Sequence, residues 1–196
     1  MQEAHRKIEP TINTIDILHR MISTDKILVL GGCRSGKSRH ALSLSESLGK
    51  KRIFVATCVP HDAEMKDRVL QHQQERGPDW QTLEVPIDLA GAIQTRSLSA
   101  DVMLIDCLTL WLSNLLMEND SDKWLRLQIH SLAEAIRKAP GAIVVVSNEV
   151  GAGIVPENAL ARRYRDFAGW MNQAIAAACD QVIWTVAGIP VTLKTP

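Results

Sequence analysis

The run Gly31-Gly32-Cys33-Arg34-Ser35-Gly36-Lys37-Ser38 places two glycines, a lysine and a hydroxyl at the spacing G-x-x-x-x-G-K-[ST]. This pattern suits one kind of chemistry, the holding of phosphate groups. Gly31 and Gly36 let the backbone turn tightly and bring its N–H groups close to phosphate oxygens. The helix that leaves the loop adds positive potential at its N-terminus. Lys37 reaches the outer phosphates, and the Ser38 hydroxyl is suited to ligate Mg²⁺. A metal partner is expected at the end of a neighbouring apolar strand. Asp106 fits, because it follows Val102-Met-Leu-Ile105.

Two further groups of residues carry chemistry. His72 shares a helical face with Met65 and Val69, at i, i+4 and i+7, which a buried core histidine would also do. Arg68 and Arg76 lie four residues to either side of it, within side-chain reach. Two cations keep an imidazole neutral and nucleophilic and can neutralise an approaching triphosphate. The same arginines can instead face solvent or pair with Asp67 and Glu75, and the spacing leaves both readings open. The second group is Ser147-Asn148-Glu149-Val150-Gly151-Ala152-Gly153 at the end of a β-branched run. Polar residues followed by glycines at a strand's C-terminal end mark the ligand crevice of an open α/β sheet. Asn148 and Glu149 are candidates to touch substrate or the water shell of a metal. Arg162, Arg163 and Arg165 follow on the next helix, as a solvated face or a place for a second phosphate.

The elements that must position these residues follow from the hydrophobic pattern. Short apolar runs at 26–30, 52–57, 101–105 and 142–146 read as buried strands. Residues 80–85 read as a further short strand, and 181–186 and 190–193 as a closing pair joined through Gly188. Helices are expected over 38–48, 62–76, 108–117, 122–138 and from about 157 to 178, with Gly49 closing the first. Strands alternating with helices predict an α/β fold, with a mainly parallel sheet covered on both faces and an antiparallel C-terminal edge hairpin. Residues 26–196 form one catalytic domain in this reading. Residues 1–25 are an extension in which Ile8, Ile12, Ile15 and Leu18 fall loosely at helical spacing.

Composition narrows the class. There are 22 Lys and Arg against 22 Asp and Glu, so the formal net charge is zero. A general nucleic-acid or membrane-surface binder would show a basic excess. No apolar run approaches the ~18 residues of a membrane span. The four cysteines, at 33, 58, 107 and 179, form no C-x-x-C pair. They read as mostly small buried residues in a reducing compartment, which makes a cytoplasmic protein the expectation.

Taken together, these stretches resemble the bifunctional adenosylcobinamide kinase/adenosylcobinamide-phosphate guanylyltransferase family of cobalamin biosynthesis. The resemblance rests on residues 31–39, on Glu64-Met65 with Arg68, His72 and Arg76, and on residues 80–84, 104–116 and 148–157. Arg165-Asp166, Gly169 and Asn172-Gln173 complete it. The family implies a P-loop NTPase (RecA-like) fold and a homotrimer. It also implies two reactions: phosphorylation of adenosylcobinamide by ATP or GTP, and transfer of GMP from GTP through a guanylylated histidine. That histidine falls on His72. The nucleotide contacts fall on residues 31–38, on Ala56, Thr57 and Cys58, on Gln73, Gln74, Glu75 and Arg76, and on Glu84 and Asp106. Gln73 stands where the family commonly has Arg or Lys, Gly77 where it has Pro, and Cys33 where Ala is frequent. A P-loop kinase that retains only phosphoryl transfer is the alternative to be separated from it.

Overall fold

A computed structural model describes residues 25–59 and 76–196. The strands are β1 (Lys26–Gly31), β2 (Arg52–Ala56), β3 (Trp80–Glu84), β4 (Val102–Asp106), β5 (Ala142–Asn148), β6 (Gln181–Val186) and β7 (Ile189–Lys194). They form one sheet in the order β3-β2-β4-β5-β1-β6-β7. The first six are parallel to their neighbours and β7 alone runs antiparallel, against β6. β1, β4 and β5 lie inside the sheet and are buried on both faces, which is why their sequences are continuous apolar runs.

Helices α1 (Lys37–Leu48), α2 (Leu89–Arg96), α3 (Leu108–Glu118), α4 (Asp122–Lys138) and α5 (Ala159–Ala178) cover the sheet. Successive residues of β1 supply opposite cores, as the two-residue period of a strand requires. Leu28 joins Ile105, Leu112, Leu132, Phe167 and Met171 on one face. Ile27 and Val29 join Ala41, Phe54, Leu104 and Val144 on the face that carries α1. Helix α4 shows how sequence makes an element here. Ser121 caps it, Asp122 and Arg137-Lys138 complement its dipole, and Leu125, Ile129, Leu132 and Ile136 form its buried stripe.

The structure departs from the sequence reading in two places. Helix α2 was not expected. At eight residues with only Leu89 and Ile93 buried, it offers little periodicity, and its one clear sign is Asp88, whose carboxylate accepts from Gly91 N. Helix α5 starts two residues late because Asn158 is its cap, accepting from Ala161 N at 3.0 Å. Gly49 ends α1 as read, in extended conformation at φ 178°. It is glycine because a Cβ there would lie 2.2 Å from Asp101 Cβ. The helix expected over 62–76 and the extension fall outside the described residues, apart from Arg76 and Asp25.

Asp101 fastens the start of β4 to the start of β2. Its Oδ2 accepts from Lys50 N and Lys51 N, both at 2.9 Å, and its own N–H donates to Lys51 O at 2.8 Å. The hydrogen bond from Lys51 N, helped by that from Lys50 N, holds the Asp101 carboxyl below its ordinary value against the opposing effect of burial. A depressed carboxylate stabilises the fold above the unfolded value near 3.9, and that stability is lost as pH falls through the lower folded value. Asp101→Asn is expected to lower Tm at pH 7 by about 2–4 °C, roughly 1 kcal/mol for a solvent-screened pair of hydrogen bonds in a domain this size. The difference from wild type should shrink below about pH 4. Thermal melts at pH 7 and pH 3 check it, and an equal difference at both would refute the account.

Candidate functional site

Because β1 to β6 are parallel, their C-terminal ends share one rim, where an open α/β sheet binds ligands. Gly31 is flanked by Asn148 of β5 and Thr185 of β6. Asp106 is flanked by Val146 of β5 and Ala56 of β2, and Ala56 by Glu84 of β3. The phosphate-loop strand and the strand bearing Asp106 are therefore separated by β5 alone, which contributes Asn148 and Glu149.

The loop from Gly31 to Lys37 is set by close backbone approaches. A Cβ at Gly31 would lie 2.3 Å from Ser35 Oγ and 2.7 Å from Thr185 O. Gly36 sits at φ 91°, a conformation open to glycine, with Gly188 Cα 3.2 Å from where its Cβ would be. Gly188 N donates to Ser35 O at 2.9 Å, and Glu149 N to Gly31 O at 3.2 Å. Arg34 is left-handed at φ 54°. Gly32, Cys33 and Arg34 form the exposed crest of the loop, and Ser38 follows Lys37 in the first turn of α1. Lys37 Nζ donates to Gly32 O at 3.2 Å, lying across its own loop. Three side-chain oxygens around Gly31 are buried without a hydrogen-bond partner: Ser35 Oγ, Thr185 Oγ1 and Asn148 Oδ1.

A chain of polar side chains runs behind the rim. Ser147 Oγ donates to Asn172 Oδ1 at 2.7 Å, and Asn172 Nδ2 to Asn148 O at 3.1 Å. Asn148 Nδ2 donates to Thr109 Oγ1 at 3.0 Å, and Thr109 Oγ1 lies 3.1 Å from Cys107 Sγ. Cys107 N donates to Thr57 Oγ1, which donates in turn to Cys107 O. Asn114 Nδ2 closes on Thr57 O at 2.8 Å, and Tyr164 OH on Thr109 O at 3.0 Å. Thr57 is wholly buried by this chain, so its hydroxyl fixes the end of β2 to the Asp106 strand. The sequence reading did not single out Thr109, Asn114 or Tyr164. A threonine and an asparagine within the apolar 108–116 run were the available sign.

Charge is distributed tightly. The Arg76 guanidinium is buried and lies 3.6 Å from the centre of the Phe54 ring. Burial lowers its pKa from the ordinary arginine value, and the nearby Asp106 carboxylate opposes that. A guanidinium remains cationic in such surroundings. Glu84 lies exposed at the end of β3 and Cys58 half-buried beyond β2. Glu149 Oε1 accepts from Gly151 N at 2.6 Å. His72, Arg68, Gln73, Gln74 and Glu75 lie outside the described residues. The arginine run of α5 is engaged within the chain. Arg162 donates to Pro156 O and Glu157 O, Arg163 pairs with Asp120 and Asp122, and Arg165 donates to Gly151 O.

A phosphate loop between a buried strand and a helix, and a strand-end aspartate one strand away across β5, define a nucleotide-using enzyme of the P-loop NTPase, RecA-like kind. The chain belongs to the cobinamide kinase / cobinamide phosphate guanyltransferase family, whose profile matches residues 27–193. It is 45% identical over 167 residues to the bifunctional adenosylcobalamin biosynthesis protein CobP of Pseudomonas aeruginosa, covering 85% of this chain and 96% of that one. It is 41% identical over 180 residues to the corresponding CobU protein of Salmonella typhimurium, covering 86% and 99%. The fold is similar to that of the flagellar accessory protein FlaH from Methanocaldococcus jannaschii, with a TM-score of 0.51 and 14% identity over 92% of this chain and 84% of that one.

The four thiols differ sharply. Cys33 is exposed in the loop, whereas Cys107 and Cys179 are buried. Desolvation, with the neighbouring Asp106, pushes the Cys107 thiol up to about 11, and desolvation with Asp180 pushes Cys179 up to about 12. Thiols held protonated and out of solvent react slowly. Iodoacetamide at pH 8 is expected to label Cys33 at least roughly 100-fold faster than Cys107 or Cys179. Bound nucleotide should slow the labelling of Cys33. Peptide mapping with and without GTP checks both, and early modification of Cys107 would refute the assignment.

Proposed function

We propose that a single nucleotide site on this rim serves both reactions, phosphorylation of adenosylcobinamide by ATP or GTP and GMP transfer to adenosylcobinamide phosphate by way of His72. The observation that carries the reading is convergence. The phosphate loop, Asp106 and Thr57 lie at one end of the sheet, and the guanidinium of Arg76, beyond the segment that bears His72, reaches toward Asp106. Thr57, before that segment, is bonded to Cys107, and Arg76, after it, lies over Phe54 beside Asp106.

In the kinase reaction, the loop amides and Lys37 hold the phosphates while the cobinamide hydroxyl attacks the γ-phosphorus. The hydroxyl proton is lost and the nucleoside diphosphate leaves. In the transferase reaction, a neutral ring nitrogen of His72 attacks the α-phosphorus of GTP. A P–N bond forms, the bond to the β-phosphate oxygen breaks, and pyrophosphate leaves. An oxygen of the phosphorylated corrinoid then attacks the same phosphorus and displaces the imidazole, giving adenosylcobinamide-GDP. Arg68 and Arg76 suit the charge that develops on the triphosphate. Ser38 and Asp106 are hard oxygen donors suited to Mg²⁺, which supplies charge neutralisation to the phosphates. Asn148, with a buried and unpartnered Oδ1 beside the loop, and Glu149 are the polar groups placed to meet the corrinoid hydroxyl or metal-bound water. A homotrimer and a cytoplasmic, reducing setting complete the reading; the four free cysteines are in keeping with the latter.

Incubation with α-labelled GTP and Mg²⁺ is expected to give an acid-labile, alkali-stable protein–GMP adduct that is lost in His72→Ala. No adduct on the wild-type chain would sink the transferase half, and cobinamide phosphorylation surviving in that case would mark a kinase alone. Lys37→Ala should lower both activities by roughly 100-fold or more, and unchanged turnover would refute a shared loop.

A further inference from the structure

Helix α5 carries a glycine, Gly169, in its interior, where glycine weakens a helix relative to alanine. Nothing among the described residues explains it. A Cβ at Gly169 would meet no atom within 4 Å, so neither packing nor backbone approach requires the side chain to be absent. Gly169 instead lines a cleft of about 260 Å³ between α5 and the loop after β5. Gly151 closes one side, and Arg165, Asp166, Trp170 and Gln173 form the rest.

The lining indicates what such a cleft accepts. Arg165 offers donors, Asp166 offers acceptors, and the Gln173 amide offers both. The opposite charges of Arg165 and Asp166 offset each other, and one guanidinium nitrogen of Arg165 is already given to Gly151 O at 2.9 Å. That balance does not favour a phosphate. It suits neutral carboxamides beside an apolar surface, and Trp170 supplies the surface, 41% exposed and braced by Arg126 3.9 Å from its ring centre. The location is also fitting. Gly151 lies three residues, at most about 10 Å of backbone, beyond Asn148, which pairs with Gly31 of the phosphate loop.

We propose that the cleft lined by Gly169 seats the carboxamide-bearing edge of the cobinamide macrocycle. This rests on the reading of the chain as a cobinamide kinase. The reacting hydroxyl of cobinamide ends a flexible, amide-linked arm, so the ring must lie to one side of the phosphates while the arm reaches the rim. A ring edge over α5 and an arm passing Asn148 satisfy both needs. Gly169 lacks a side chain because the ring edge approaches the helix there.

Gly169→Ala separates a ligand role from a structural one, because the two move its properties in opposite directions. The variant is expected to gain about 1–4 °C in Tm, as alanine replaces a mid-helix glycine. Its KM for adenosylcobinamide should rise at least 10-fold at saturating nucleotide, with KM for nucleotide and the yield of GMP adduct from GTP alone unchanged. Gln173→Ala, an exposed position, should raise the same KM by several-fold and serves as the second variant. Unchanged KM for adenosylcobinamide in both variants, with active wild type, overturns the proposal and leaves the nucleotide chemistry standing. Loss of assembly mass by sedimentation in Gly169→Ala would assign the cleft to a neighbouring copy and also overturns it. A wild-type chain that forms the GMP adduct but does not phosphorylate adenosylcobinamide overturns this inference together with the kinase half of the earlier reading.

Discussion

The site depends on how closely the backbone of the phosphate loop folds against its own strand and the strand beside it. At Gly31 there is no room for a single carbon, because Ser35 Oγ and Thr185 O would both lie well inside van der Waals distance of a Cβ. The loop can therefore present its amides outward while its underside packs against β6. The edge hairpin completes the clamp. Ala187 and Gly188, both at positive φ, make a two-residue turn of the kind that matches strand twist. That turn brings Gly188 N onto Ser35 O and Gly188 Cα against Gly36. β7 is thus more than a sheet edge, since the turn leading into it fixes the back of the anion site.

From that contact the rest of the rim follows by register. β1 holds Asn148 on one side and Thr185 on the other, and parallel pairing carries the same level across β5 to Asp106 and across β2 to Glu84. The polar chain through Ser147, Asn172, Asn148, Thr109 and Thr57 then locks that level from behind. All but one of the polar side-chain atoms of these residues have a partner, which makes such a network rigid and not merely tolerated. Asn148 is its exception. Its Nδ2 is bound and its Oδ1 is buried and unpartnered next to the phosphate loop, as expected of a group kept for a ligand.

Much of this was legible in the sequence, for physical reasons that differ between elements. The buried strands announced themselves because a parallel strand covered on both faces must be apolar throughout, and β5 is the clearest case. The phosphate loop was legible because two of its glycines are demanded by geometry, Gly31 by close approach and Gly36 by its positive φ. Helix α2 was not, because two buried residues in eight leave no stripe to see. Gly49 was legible as the end of α1, but its reason was not, since a clash with Asp101, fifty-two positions away, is invisible in a linear pattern. The role of Thr57 came only by resemblance, and the structure shows its hydroxyl turned to Cys107, so its contribution at the site is to hold β2 and β4 together.

Electrostatics completes the picture. A chain of zero net charge must make an anion site by placing its cations, not by accumulating them. The α5 arginines illustrate the point: Arg162, Arg163 and Arg165 look like a basic patch in sequence, yet each is engaged by carbonyls or carboxylates of the same chain. Among the described residues, the groups proposed to meet phosphate include backbone N–H groups, Lys37 and the positive end of α1, a set that costs little to desolvate and is already oriented. Arg76 is handled differently again. Stacked on Phe54 and near Asp106, it is a cation held in a fixed place with a carboxylate beside it. In the proposed reading, a guanidinium so placed balances Asp106 when no ligand is present and turns part of its field to a triphosphate when one is.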